Sequence, residues 1–248
     1  MPKPQEVSFA LFPGEVVGIA GLLGAGRSEL VRAICGIDRP VAGEVLVRGK
    51  PVRAGAPRAM IAAGVALIPE DRRTQGLVLE HSLFSNMTLP TIDRFTRGGF
   101  VDDARARSVA NDMVARLRIK AGSVMLPVRT LSGGNQQKVV LGKWLAATPD
   151  VLILDEPTAG VDIGSKAEIV EVIRGLAYAG KGVIMISSEL AELLSVSDRI
   201  LVMSGGRMVR ELSRDEIEAW APPDAPATER ISSMERGLNR TIQEAGHV

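Results

Sequence analysis

Two runs of aliphatic residues, at positions 151–154 and 183–186, contain no polar residue that could face solvent. Such runs are typical of strands that are buried on both faces of a parallel sheet. They are far too short for a membrane-spanning helix, which takes about 20 residues. A predicted helix at about 165–179 separates them. This strand–helix–strand order predicts an α/β fold with a mostly parallel core sheet flanked by helices.

The composition fits one sizeable domain. The chain has 248 residues, of which 46% are hydrophobic, so a substantial core can form. A net charge of +1 gives no basic excess that would attract nucleic acid, and we expect no nucleic-acid partner. Cys35 is the sole cysteine and cannot form an intramolecular disulfide, so we expect a small core residue in a reducing compartment.

A glycine-rich turn lies between a predicted strand at 15–19 and a predicted helix that begins at Arg27. Its pattern, Gly21-x4-Gly26-Arg27-Ser28, has the spacing and context of a phosphate-binding loop. There the backbone N–H groups and the helix N-terminus bind phosphates, and Ser28 would bind Mg²⁺. The candidate nucleotide-binding residues are Gly21, Leu23, Gly24, Ala25, Gly26, Arg27, Ser28 and Glu29.

Arg27 stands where this pattern has lysine. A planar guanidinium cannot occupy the same point between two phosphates as a compact ammonium. Taken alone, the turn is also compatible with a merely tight connection between a strand and a helix.

The strand predicted at 151–154 ends in two carboxylates, Asp155 and Glu156, followed by Pro157. Ligands of open α/β sheets bind at the carboxyl ends of the strands, where the glycine turn also lies. Asp155 suits a Mg²⁺ contact through water, and Glu156 suits a catalytic base that orients an attacking water. An aspartate here could instead cap a helix, but two acids ahead of a proline favour a nucleotide site.

A third string lies between these motifs and opens a predicted helix: Leu131, Ser132, Gly133, Gly134 and Asn135. It resembles the signature motif of ATP-binding cassettes, the ATPase domains of ABC transporters. The resemblance covers about residues 7–212. It implies a P-loop NTPase fold with a small antiparallel β part and a helical subdomain at about 80–128 that docks on a transmembrane permease.

The same resemblance implies that ATP and Mg²⁺ are held between two paired cassettes. Ser132 and Gly134 would contact the γ-phosphate of ATP bound by the partner. Residues 159–162 resemble the D-loop, so Asp162 would help to link the two sites.

Three further strings, at 69–73, 135–138 and 160–166, resemble the ATPase subunits of monosaccharide importers of the ribose, galactose and xylose type. Those subunits carry two cassettes in one polypeptide, and Arg27 is typical of the second. This implies a partner cassette, supplied by the first half of the polypeptide or by a second copy. It also implies a permease, indirectly a periplasmic sugar-binding protein, and a peripheral location on the cytoplasmic face of the inner membrane.

Two positions depart from the usual cassette pattern. Glu70 aligns with a glutamine that contacts Mg²⁺, and Ser188 aligns with a histidine that contacts the γ-phosphate. Together with Arg27, these departures imply a degenerate nucleotide site. The chain's two histidines lie elsewhere, and we expect both at the surface: His81 and His247.

The predicted boundaries are a cassette at 1–221 and a linker with a polar, solvated tail at 222–248. The usual N-terminal strand with an adenine-stacking aromatic residue is missing, so we expect a piece of a longer subunit that binds ATP weakly or not at all on its own. Two other classes stay open. A non-transport module, regulatory or associated with nucleic acid or ribosomes, would carry long insertions, basic arms or zinc-binding cysteines. A P-loop kinase would carry an acceptor-binding domain.

Overall fold

The structure is a computed structural model that describes residues 4–246, so His247 lies outside the described residues. The backbone divides into two compact units. Unit 1 comprises the described residues up to Ala66, the segment Asp150–Glu156, and the described residues from Ile173 onward. Unit 2 comprises Leu67–Pro149 and Pro157–Val172.

Strands and helices alternate along most of the chain. The strands are β1 (Val16–Gly21), β2 (Val45–Val47), β3 (Lys50–Val52), β4 (Val65–Ile68), β5 (Thr96–Arg97), β6 (Phe100–Val101), β7 (Val151–Asp155), β8 (Gly182–Ile186), β9 (Arg199–Ser204) and β10 (Arg207–Ser213). The α-helices are α1 (Arg27–Ile34), α2 (Pro57–Ala62), α3 (Leu83–Thr88), α4 (Asp103–Arg116), α5 (Gly133–Leu145), α6 (Ile163–Tyr178), α7 (Leu190–Val196), α8 (Arg214–Glu218) and α9 (Ala227–Gly246). Shorter helical turns are Arg72–Gly76, Leu89–Phe95 and Val128–Thr130.

The central sheet has six strands in the order β10-β9-β1-β8-β7-β4. β1 pairs in parallel with β8 and β9, and β7 pairs in parallel with β8, whereas β10 is antiparallel to β9. The two aliphatic runs are therefore neighbours, with Leu152 opposite Val183 and both fully buried. Helices α1 and α7 pack on β1, and α9 packs on β9. The prediction of a mostly parallel sheet flanked by helices is confirmed.

One local prediction about a strand is wrong. Residues 7–9, predicted as a strand, have no regular secondary structure. The stretch 80–128, predicted to be mostly helical, contains α3, α4 and the helical turn Leu89–Phe95, and it also contains the short antiparallel hairpin β5–β6, which turns at Gly98 and Gly99. Both glycines have positive φ, a conformation that suits a two-residue hairpin turn and that the helical pattern of the flanking residues obscured.

Unit 2 contains a helical cluster in which α3 packs against α4 and α5. Leu83 and Met87 of α3 are fully buried in it, as is Leu141 of α5. Helix α5 lies beyond residue 128, where the predicted helical subdomain ends, yet it shares this core. Between residues 4 and 246, no helix combines the length and the apolar character that crossing a bilayer requires.

The prediction of a solvated tail is wrong for the described residues 227–246. They form the 20-residue helix α9, which packs against α7, α8 and β9. Met234, Leu238 and Ile242 recur every four residues along it and are at most 5% exposed. Polar residues surround this narrow apolar stripe, so the segment is polar on average although one face is apolar. Cys35 is buried as predicted, and burial raises the pKa of its thiol to about 12.

Candidate nucleotide-binding site

The glycine-rich turn of unit 1 connects the end of β1 to the start of α1. Gly24 and Gly26 have φ of +80° and +93°, a region that glycine enters without the steric cost of a Cβ. A Cβ on Gly21 would lie 2.5 Å from the carbonyl oxygen of Met203, so the close approach of β1 to β9 also requires glycine. The turn therefore brings backbone N–H groups to the N-terminus of α1, as a phosphate-binding loop does.

The other residues predicted for this loop differ in exposure. Leu23 is 97% exposed, whereas Ala25 is buried at 5%. The N–H of Ala25 donates to the carbonyl oxygen of Leu22 at 3.0 Å, which closes the turn. Glu29 is half-buried in the first turn of α1.

Ser28 and Asp155 come from the two separate motifs and lie side by side. The Ser28 hydroxyl donates to Asp155 Oδ1 at 3.3 Å, and Asp155 is only 7% exposed at the end of β7. Both offer hard oxygen atoms, which Mg²⁺ prefers, and Mg²⁺ commonly takes few protein ligands beside phosphates and water. Within residues 4–246 there is no cluster of three or more His, Cys, Asp or Glu that could hold a metal. The donor set fits Mg²⁺.

Glu156 lies next to Arg27 and Ser188, the two residues of unit 1 that depart from the cassette pattern. The Ser188 hydroxyl donates to Glu156 Oε2 at 3.1 Å. Arg27 Nη1 lies 4.0 Å from Glu156 Oε1 and donates to the carbonyl oxygen of Ser187 at 3.3 Å. The Arg27 and Glu156 side chains are 11% and 14% exposed, so water screens their attraction weakly.

The backbone around Glu156 and Ser188 is held in place by further hydrogen bonds. Glu156 has a φ of +49°, which is uncommon for a residue with a Cβ, and its N–H donates to the carbonyl oxygen of Ile186 at 3.0 Å. The buried Ser187 hydroxyl donates to Glu192 at 2.9 Å and accepts from the N–H of Glu189 at 3.0 Å. The sequence gives no indication that Ser187 and Glu192 are buried, because single polar residues near the junction of a strand and a helix carry no signal of burial.

In unit 2, the signature string forms the start of α5. Ser132 is exposed and caps the helix, since its Oγ accepts from the N–H of Asn135 at 3.4 Å and from Asn135 Nδ2 at 2.9 Å. Leu131 is half-buried just before it. A serine hydroxyl is thus presented at a helix N-terminus, where partial positive charge favours anions.

The signature glycines pack tightly against Arg72 and against residues 160–165 of the same unit. A Cβ on Gly133 would lie 2.8 Å from Arg72 Nη2, and one on Gly134 would lie 2.2 Å from Ser165 Oγ. Asp162 accepts hydrogen bonds from the N–H of Ser165 at 3.0 Å and from its hydroxyl at 2.8 Å. These bonds lower the pKa of Asp162, which caps the first turn of α6.

The sequence did not indicate the structural role of Arg72. Nη1 donates to the carbonyl oxygen of Ala159 at 2.7 Å, and Nη2 donates to that of Gly160 at 3.2 Å. Its Nε is buried and has no hydrogen-bond partner among residues 4–246. The neighbouring Arg73 is exposed, and nothing in the string 69–73 distinguishes the two arginines.

The remaining predicted residues fall outside these contacts. Glu70 is exposed on unit 2, and its carbonyl oxygen accepts from the N–H of Arg72 at 3.1 Å. His81 is exposed as predicted.

Comparison with known proteins agrees with this geometry. Residues 4–159 match the family model described as "ABC transporter". The chain is 50% identical over 214 residues to the "Ribose import ATP-binding protein RbsA" of Rhodococcus jostii, covering 86% of this chain and 42% of that protein. It is 52% identical over 211 residues to "Ribose import ATP-binding protein RbsA 2" of Streptomyces avermitilis, covering 85% of this chain and 42% of that protein.

The chain therefore spans less than half the length of these curated relatives. Among solved structures, a nucleotide-free ATP-binding cassette from an ABC transporter superposes with a TM-score of 0.75 at 22% identity. That match covers 87% of each chain, which shows a shared fold.

Proposed function

This chain belongs to the ABC transporter family of ATP-binding cassettes, and we propose that it is the second cassette of an ATPase subunit that energises import of a monosaccharide. Two relatives about half identical to it are named as ribose import proteins, which supports a ribose-type sugar. The chain covers 42% of each, as one of two cassettes in a longer polypeptide would.

In this proposal the chain contributes residues to two nucleotide sites, its own and that of the paired cassette. In unit 1, the cassette's own site would bind ATP through the glycine-rich turn, and Ser28 and Asp155 would hold Mg²⁺ together with the phosphates. Mg²⁺ supplies positive charge that offsets the charge on the phosphates. Glu156 is the group suited to orient a water for attack on the γ-phosphorus, with release of ADP and inorganic phosphate.

Arg27 and Ser188 both contact Glu156, and this observation supports the proposed degeneracy of the site. A carboxylate that already accepts from Ser188 and faces a guanidinium has less capacity to accept from a water. Arg27 is in turn held toward Glu156 and the Ser187 carbonyl oxygen, and its bulk differs from that of the usual lysine. We therefore infer slow hydrolysis at this site.

In unit 2, Ser132 and Gly134 would complete the nucleotide site of the paired cassette. The exposed hydroxyl of Ser132 at the N-terminus of α5 supports this part, because a γ-phosphate is an anion that accepts hydrogen bonds. The partner would be the first half of the same polypeptide or a second copy of this chain. Import further implies a transmembrane permease, a periplasmic sugar-binding protein and a position on the cytoplasmic face of the membrane.

Two substitutions in the complete subunit test this division. Ser132→Arg places a bulky side chain in the partner's site and is expected to abolish sugar-stimulated ATP turnover. Glu156→Gln affects the site that we propose to be slow, and it is expected to reduce turnover by less than about twofold, well short of the ~10²–10⁴-fold range typical of general acid–base catalysis. Tyr178→Arg, at a position of α6 that is 92% exposed and lies outside the stretch expected to dock on the permease, is the control and should retain activity. Equal losses from Ser132→Arg and Glu156→Gln would contradict the division.

A further inference from the structure

The amide of Asn135 lies between Ser132 and a backbone N–H group. Its Oδ1 accepts from the N–H of Lys120 at 2.8 Å, and its Nδ2 donates to Ser132 Oγ at 2.9 Å. All three residues belong to unit 2, and the contacts link the segment that precedes the signature string to its serine.

The chemistry of these groups fixes the orientation of the amide. A backbone N–H can only donate, so the group of Asn135 that faces Lys120 must be the oxygen. The group that faces Ser132 is then the NH₂, which also can only donate. The usual ambiguity between the oxygen and the nitrogen of an asparagine amide is thereby removed.

The donors that face Ser132 Oγ determine what its hydroxyl can do. A hydroxyl has two acceptor lone pairs and one hydrogen to donate. Ser132 Oγ accepts from Asn135 Nδ2 and, over the longer distance of 3.4 Å, from the N–H of Asn135. Both lone pairs are engaged by one residue, so the hydroxyl hydrogen is directed away from the helix, and Ser132 is exposed.

We propose that Asn135 is a positioning residue that makes Ser132 a hydrogen-bond donor to a phosphate oxygen of the nucleotide bound by the paired cassette. The proposal rests on the proposed function, in which Ser132 faces that nucleotide. Phosphate oxygens are acceptors, so a hydroxyl with its lone pairs engaged and its hydrogen free has the matching polarity before the nucleotide arrives. Such preorganisation avoids reorientation when the site closes.

Aspartate at this position would reverse the polarity of Ser132. A carboxylate can still accept from the N–H of Lys120, but it cannot donate to Ser132. The Ser132 hydroxyl would then donate to the carboxylate and would present a lone pair to the phosphate. An acidic residue in the first turn of a helix is favourable for the helix itself. Asn135→Asp therefore separates the positioning role from a capping role.

A double-mutant cycle on ATP turnover by the complete subunit tests the proposal. Ser132→Ala is expected to lower turnover by about 10- to 100-fold, the range for loss of a hydrogen bond to a charged group. Asn135→Ala is expected to lower it by about tenfold in the native background and by less than twofold once Ser132 is alanine, because it acts through the hydroxyl. Asn239→Ala, at an exposed asparagine of α9, is the matched control and should change neither value.

Thermal unfolding of Asn135→Asp supplies the second readout. Turnover should fall at least as far as in Asn135→Ala, while the unfolding temperature stays at or above that of the native protein. Recovered turnover in Asn135→Asp, or losses that multiply in the double variant, would overturn the positioning role and leave the proposed function standing. Full turnover in Ser132→Ala would instead overturn the proposed function.

Discussion

The Arg27 guanidinium lies 4.0 Å from the Glu156 carboxylate, and the same nitrogen donates to the carbonyl oxygen of Ser187. The residue that replaces the lysine of a phosphate-binding loop is thus directed at the acid that would orient a water. In the proposed function, this contact would lower the capacity of both groups to serve a nucleotide, because each is already engaged by the other.

Arg27→Lys is expected to bind MgATP about tenfold more tightly than the native chain, since a charged hydrogen bond is worth ~1.5–3 kcal/mol and a compact ammonium can reach two phosphates. Isothermal titration calorimetry with the chain and MgATP measures the affinity. Arg27→Met keeps much of the side-chain length without the charge, and it should bind more weakly than the native chain. Unchanged affinity in Arg27→Lys would show that Arg27 does not weaken the site.

Gly134→Ala is expected to destabilise the protein by about 1–3 kcal/mol, the usual cost of overpacking. The added Cβ would lie 2.2 Å from Ser165 Oγ and 2.6 Å from its Cβ, within van der Waals radii. Gly175→Ala is the matched control in helix α6, since no described atom outside its own helix lies within 4 Å of the added Cβ. That variant should be neutral or stabilised by up to about 1 kcal/mol. Urea unfolding of both variants measures the two changes in stability. Equal stabilities would contradict the tight packing around Gly134.

Arg72→Ala should lower the free energy of unfolding by about 1–3 kcal/mol, because it leaves the carbonyl oxygens of Ala159 and Gly160 without their donor. Arg73→Ala removes the same charge from an exposed position and should stay within about 0.5 kcal/mol of the native protein. Chemical denaturation of the two variants gives the comparison. Similar losses would mean that only the charge of this segment matters.

Lys143 predicts a pH dependence of stability. Burial lowers the pKa of its amine from 10.5 to about 8, and the amine donates to the carbonyl oxygen of Gly76. Between pH 8 and 10.5 the unfolded state then binds more protons than the folded state, so this residue's contribution to stability rises with pH. Below pH 8 the cost of burying the charged amine is fully present.

The free energy of unfolding of the native protein, relative to Lys143→Met, should therefore rise by about 3 kcal/mol between pH 7.5 and 10.5. Urea titrations at several pH values in that range measure this difference. Ionisation of Cys35 on unfolding lowers stability at high pH in both proteins and cancels. Parallel stability curves would show that the Lys143 amine titrates normally.

Helix α9 gives a prediction for the C-terminal segment. Leu238 is fully buried, so Leu238→Ala should cost about 2–5 kcal/mol of unfolding free energy. Ile231→Ala, at a position of the same helix that is 41% exposed, should cost less than about 1 kcal/mol. Denaturation of the two variants compares the faces of α9. No loss in Leu238→Ala would be the behaviour of a solvated tail.

The sequence was informative wherever a structural need acts on neighbouring residues. Strands buried on both faces must be continuous in aliphatic residues, so β7 and β8 were recognisable from their own composition. A phosphate-binding turn needs glycines at fixed spacing, and Gly24 and Gly26 have the positive φ that this implies. By contrast, the apolar stripe of α9 includes Met234, Leu238 and Ile242 among polar residues, and their burial depends on what α9 packs against.

Local pattern by itself determined the α/β class, the glycine-rich turn, the acidic strand end and the signature string. Only the tertiary structure decided which side chains meet. The strand order β1-β8-β7 brings Arg27, Ser188 and Glu156 together from three distant segments, and no local preference of any one segment encodes that order. The physical reason is that strand order minimises the free energy of the whole sheet, whereas helix, turn and strand preferences act between neighbours in the chain.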